Sequence, residues 1–105
     1  METDDFEWDD DKAAANLRKH GIDFFDACGA FEDAFYVEDI DDRMDYGEER
    51  IQLIGRVGDE LIVVIYVERG KRIRIISARP ATREEYDDYY SANSQDRSET
   101  GPGQS

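Results

Sequence analysis

The sequence predicts an α+β domain, with helices at both ends of the chain packed on an antiparallel sheet. Three observations lead there. Three successive segments between residues 49 and 79 read as strands separated by turn residues. Helix start and stop signals appear near the beginning and again near the end of the chain. The length of 105 residues allows one hydrophobic core but not two.

In chain order, "FEWDDDKAAANLRKHGI" reads as a short strand followed by a helix. Phe6 and Trp8 flank Glu7 with a period of two. Asp9 to Asp11 offer an N-cap and first-turn acids, which suit the positive end of the helix dipole. Ala13, Ala14, Ala15 and Leu17 favour helix, Lys19 and His20 close its last turn, and Gly21 fits the position after it. In "DFFDACGAFEDA", Phe24, Ala27, Cys28 and Phe31 are spaced as one core-facing stripe of a second short helix. "FYVEDID" reads as a strand and "DDRMDYGE" as a polar loop.

The strand "ERIQLIGRV" puts Ile51, Leu53 and Gly55 on one face and Arg50, Gln52, Ile54 and Arg56 on the other. Gly58-Asp59 forms a tight turn. "ELIVVIYVE" is apolar on both faces and is therefore central. Arg69-Gly70 turns the chain into "KRIRIISAR", which Pro80 ends. Regular pleating there places Arg72 and Arg74 on one face, with Lys71, Ser77 and Arg79 on the other. "TREEYDDYY" opens with a Thr82/Glu85 capping box, and Tyr86, Tyr89 and Tyr90 share a face of the helix. The domain is expected over residues 1–91, with a disordered polar tail over 92–105.

Charge is the unusual property. The net charge is −14, with 13 basic and 27 acidic residues. Residues 1–48 carry net −13, residues 49–83 net +4, and residues 84–105 net −5. An acidic surface keeps a protein soluble, and adaptation to high salt is one hypothesis for it. Exposed arginines on strands commonly pair with neighbouring carboxylates, here Glu49, Glu60 or Glu68. Alternatively, arginines clustered on a strand bind phosphate, which they grip in bidentate fashion. Duplex DNA is a poor fit for this chain alone, because it has no basic recognition helix.

Several chemistries lack their residues. One histidine and one cysteine cannot form a structural zinc site. The aspartate runs lack calcium-loop spacing, and no glycine-rich phosphate loop precedes a helix. No run of residues is apolar enough to span a membrane. The opening residues do not read as a secretory signal. The lone Cys28 fits a buried position in a reducing, cytoplasmic setting.

The stretches "FEWDDDKAAANLRKHGIDFFDA", "GEERIQLIG" and "RIRIISARPATREEYDDYY" resemble the BrnT family of type II toxin–antitoxin systems. The resemblance covers about residues 6–90, in order. It implies a small RelE-like ribonuclease fold, RNA as substrate, and neutralisation by a BrnA-like antitoxin that carries any operator recognition. It implies no metal and no cofactor, and it leaves room for a higher-order toxin–antitoxin complex. Carried over by motif, the site residues are Lys19 and His20 from "KHG", Glu49 and Arg50 from "EER", Arg74, Ser77 and Arg79 from "RIISAR", and Tyr86. Arg50, Arg74 and Arg79 would hold the phosphate. His20 or Glu49 would act as general base, and Lys19 or Tyr86 as proton donor or charge stabiliser. The final helix, "EEYDDYY", is more acidic than the family pattern, as is the opening "DDDK". Those departures support an alternative reading: a catalytically degenerate member that only binds its antitoxin.

Overall fold

The computed structural model describes residues 2–41 and 48–100, with side chains as far as residue 94. Residues 42–47 of the expected polar loop and residues 101–105 of the expected tail lie outside the described residues. The elements are β1 (Phe6–Glu7), α1 (Asp10–His20), α2 (Phe24–Ala27) and a 3-10 turn (Cys28–Glu32). Then come β2 (Val37–Asp41), β3 (Arg50–Val57), β4 (Glu60–Arg69), β5 (Arg72–Pro80) and α3 (Arg83–Thr100). The sheet has five strands in the order β1-β5-β4-β3-β2. The α+β class is as expected, but the sheet is mixed: β1 pairs with β5 in parallel, Phe6 with Ile73 and Glu7 with Arg74. None of the helices among the described residues is long and apolar enough to cross a membrane.

The main core lies between one sheet face and the helices α1 and α2 with the 3-10 turn. Trp8, Phe24, Ala27, Ala30, Leu53, Ile62, Val64, Tyr66, Ile75 and Ala78 are buried together there. Trp8 meets Phe24 edge-on at 6.0 Å, and Phe31 bridges Phe6 and Tyr66 at 5.2 and 5.1 Å, favourable geometries for aromatic pairs. Gly55 lets the 3-10 turn approach β3: a Cβ there would sit 2.7 Å from the Ala30 carbonyl oxygen. As expected, β4 is buried along most of its length.

The opposite face carries a smaller core of Ile54, Leu61, Val63, Ile65 and Tyr89, with Tyr86 packed against it. Here α3 crosses the sheet. Its capping box forms as the sequence predicts: Thr82 N–H donates to Glu85 Oε1 at 2.8 Å, and Glu85 N–H donates to Thr82 Oγ1 at 3.2 Å. The helix runs over Arg83–Thr100 and so continues past residue 91. Asn93 Nδ2 donates to Tyr89 O at 2.8 Å and to Phe35 O at 3.2 Å, tying α3 to the loop before β2 beyond Tyr90. Asp33 fastens the same corner. Its carboxylate accepts from Tyr89 Oη at 2.6 Å, Arg56 N at 2.9 Å and Phe35 N at 3.0 Å. Burial alone would raise the Asp33 pKa; these hydrogen bonds outweigh it and hold the group below its usual range.

Candidate active site

Helix α1 builds the first part of the site. Asp9 caps it by accepting from Lys12 N at 2.9 Å. Gly21 ends it at φ 76°, where its N–H donates to Leu17 O at 2.9 Å; that left-handed backbone favours glycine. Asn16, only 7 % exposed, faces β5. Its Nδ2 donates to Ala78 O at 2.8 Å and to Ile22 O at 3.0 Å, and its Oδ1 accepts from Ala78 N at 3.1 Å. β1 pairs only with Ile73 and Arg74. The Asn16 amide thus completes the outer edge of β5 where the neighbouring strand has ended.

That anchoring produces a shallow cleft of about 310 Å³ between α1 and the β5 edge, lined by Lys12, Ala15, Asn16, Lys19, His20, Ile76 and Ser77. The α1 residues follow the i, i+3, i+4, i+7, i+8 spacing of one helix face. Three of the residues carried over by motif, Lys19, His20 and Ser77, therefore meet in one place. Among the described residues, Lys12, Lys19 and His20 make no ion pair within 4.0 Å.

The arginines of β5 are arranged differently from the expectation. Ile65 pairs with Ser77 while Tyr66 pairs with Ile75, so Ile76 is an extra residue, a β-bulge. The bulge reverses the pleat. Arg72, Arg74, Ser77 and Arg79 lie opposite Arg69, Val67, Ile65 and Val63, alternate residues of β4. All four therefore share the face that α3 crosses, which corrects the split predicted from regular pleating. Buried Ile75 and Ala78, three apart, are the other half of the same effect.

All three of these arginines pair with carboxylates, Arg74 and Arg79 most closely. Arg74 Nη1 lies 2.9 Å from Glu7 Oε2, its parallel neighbour on β1. Arg79 grips Glu85 with two bonds, Nη1–Oε1 and Nη2–Oε2, both 2.8 Å. The paired guanidinium, aided by the Thr82 bonds, lowers the Glu85 pKa to about 2 against the opposing effect of burial. Arg72 reaches Glu2 at 3.8 Å and Arg69 reaches Glu48 at 3.5 Å. These partners come from the acidic flanks of the chain. Glu49, Glu60 and Glu68, the neighbours expected for that role, form none of these pairs.

The remaining expected residues lie apart from the cleft. Arg50 opens β3 opposite Asp41 of β2, and β4 separates β3 from β5. Glu49 precedes it and is exposed. Tyr86 packs on the smaller core, and its hydroxyl oxygen accepts from Leu61 N at 3.4 Å. Cys28 is half-buried, and its Sγ donates to Phe24 O at 3.4 Å. Burial is the main cause of a thiol pKa raised to about 11, which makes it a poor nucleophile at neutral pH. The sequence reading overlooked Lys12, although its spacing from Asn16, Lys19 and His20 carries the signal. It also overlooked Glu7 and Glu85 as arginine partners. The capping box marked Glu85, but nothing local tied it to Arg79.

A family model described as the ribonuclease toxin BrnT of type II toxin–antitoxin systems matches residues 8–85. The match spans α1, the whole β3–β5 sheet and the start of α3. No curated protein matches the chain.

Proposed function

The chain belongs to the BrnT family of type II toxin–antitoxin ribonuclease toxins, and from that membership and the α1–β5 cleft we propose a metal-independent endoribonuclease acting in the cytoplasm. Its substrate is RNA, and its protein partner is an antitoxin, on this reading of the BrnA type. The observation that carries the reading is the convergence of Lys19, His20 and Ser77 in one cleft, with neither Lys19 nor His20 in an ion pair among the described residues.

The chemistry follows from the residue types. His20 removes the proton from a ribose 2′-hydroxyl. The 2′-oxygen bonds to the adjacent phosphorus, and the bond from phosphorus to the 5′-oxygen breaks. A 2′,3′-cyclic phosphate forms, the departing 5′-oxygen takes a proton from water, and His20 gives the proton it accepted back to solvent. Lys19 stabilises the charge that builds on the phosphoryl oxygens, and Ser77 supplies a hydroxyl at the β5 side of the cleft. Glu49 lines no part of the cleft, which favours His20 as the base. Arg74 and Arg79, the phosphate holders implied by the family resemblance, are held by Glu7 and Glu85 and line no part of the cleft, so either would have to leave its carboxylate to bind a phosphate.

Those same ion pairs favour a second reading, in which the arginine face is internally neutralised and the chain serves only to bind its antitoxin. An induction test separates the two. The parent, His20→Ala and Lys19→Ala chains are expressed without antitoxin, with growth and total RNA followed. The nuclease reading predicts arrest with RNA cleavage in the parent and neither in the variants. A folded parent that leaves growth and RNA intact favours the binding module.

A further inference from the structure

We infer that the α1–β5 cleft binds a single RNA strand beyond the reacting phosphate, with Lys12 holding a second backbone phosphate. The inference rests on the reading of this cleft as the RNA site.

Lys12 and Lys19 line the same cleft. They are seven residues apart on α1, two turns and about 10 Å along the axis. Successive phosphates of one strand lie closer together than that, so both lysines can face the backbone of the same strand. The chain has three lysines against ten arginines, and two of the three stand on this one helix face. Neither is engaged by a carboxylate among the described residues, whereas Arg74 and Arg79 on β5 are. Ala15 and Ile76 add apolar surface to the lining of the same cleft, against which a ribose or base can rest while phosphates face the ammonium groups.

The surroundings limit what fits. Lys12 directly follows Asp9, Asp10 and Asp11, so the cationic track stops at that end of α1. On the sheet side, Glu7 flanks β5 through its pair with Arg74. A duplex would carry its second strand over these carboxylates, and like charge would oppose it. A short single strand avoids them. The ligand is therefore single-stranded RNA held by its backbone over a few nucleotides.

The test measures binding, so that it stands apart from catalysis. A fluorescent single-stranded oligonucleotide with 2′-O-methyl riboses, which cannot be cleaved by 2′-hydroxyl attack, is titrated at several salt concentrations. The proteins are the parent, Lys12→Ala, Lys12→Arg, Lys19→Ala and Lys71→Ala, each checked by thermal melting. Lys71 lies in the β4–β5 turn outside the cleft and controls for loss of one charge. The expected result is a several-fold loss of affinity in Lys12→Ala and Lys19→Ala. Each also lowers the slope of log affinity against log salt by about 0.7, the value for one phosphate contact on a single strand. Lys12→Arg retains most of the affinity, and Lys71→Ala binds as the parent does. A duplex of the same sequence binds more weakly than the single strand. Parent-like binding by Lys12→Ala, with Lys19→Ala weakened, overturns this inference and leaves the site reading standing. Equal losses in all three alanine variants reduce the effect to general charge and also overturn it. Parent-like binding by every variant overturns the site reading and this inference with it.

Discussion

Arg79 and Glu85 form a bidentate ion pair, with both N–O distances at 2.8 Å, that joins the end of β5 to the first turn of α3. Glu85 also closes the capping box with Thr82. One carboxylate thus starts a helix and occupies an arginine that otherwise faces the open sheet.

The pair makes stability depend on pH in a stated direction. The Glu85 pKa is lowered from 4.5 to about 2 in the folded protein. A depressed carboxylate contributes stability that is present above its unfolded pKa and is lost as pH falls through the folded value. Glu85→Gln is expected to lower stability by about 1–3 kcal/mol at neutral pH. The difference from the parent should shrink as pH falls from 4.5 to about 2. Urea unfolding across that window checks both the magnitude and the convergence.

The amide of Asn16 is the only link in α1 that serves both the N–H and the C=O of Ala78 among the hydrogen bonds of the described residues. Asn16→Ala leaves both buried groups without that partner. The expected cost is about 2–3 kcal/mol, seen as a lower melting temperature. Amide exchange at Ala78 should accelerate together with exchange along the second half of α1.

Gly55 has no room for a methyl group, because the nearest atom to an added Cβ is the backbone oxygen of Ala30 at 2.7 Å. Backbone cannot rotate away as a side chain can. Gly55→Ala is expected to destabilise by about 1–3 kcal/mol through overpacking, whereas Gly29→Ala, with its nearest contact at 3.7 Å, should cost far less. Thermal melting of the two variants distinguishes them.

Cys28 should react slowly with alkylating reagents. Its pKa is raised from 9.0 to about 11, which lowers the thiolate fraction at pH 7 by about two orders of magnitude. Iodoacetamide labelling of the native protein should therefore lag well behind labelling in denaturant. Equal rates would show that the site is neither desolvated nor held against Phe24 O.

Much of this arrangement is legible in the chain. The alternation around Glu7, the stripe of Phe24 and Ala27, and the apolar run of β4 each identify their burial, because spacing alone fixes the face. Gly21 and the Thr82/Glu85 box mark helix ends by local chemistry. The Ile76 bulge is not legible in the same way. Ile75 and Ile76 suit either face, and only pairing with Ile65 and Tyr66 shows that one residue is extra. The regular pleat therefore split Arg74 from Ser77 and Arg79 when the sheet brings them together. The parallel pairing of β1 was equally hidden, since two residues carry no signal of strand direction. Asn93 on α3 reaches Phe35, a contact remote in sequence that no local pattern announces. The basic centre and acidic flanks were plain in the composition. That Glu2, Glu7, Glu48 and Glu85 of those flanks would neutralise the central arginines required the fold.

The most direct measurement is the end chemistry of RNA incubated with the purified chain in excess chelator, compared with His20→Ala. The account predicts 2′,3′-cyclic phosphate and 5′-hydroxyl ends with the parent, and a rate lower by about 10²- to 10⁴-fold in the variant. Cleavage that stops in chelator, or that proceeds at the parent rate without His20, would contradict it.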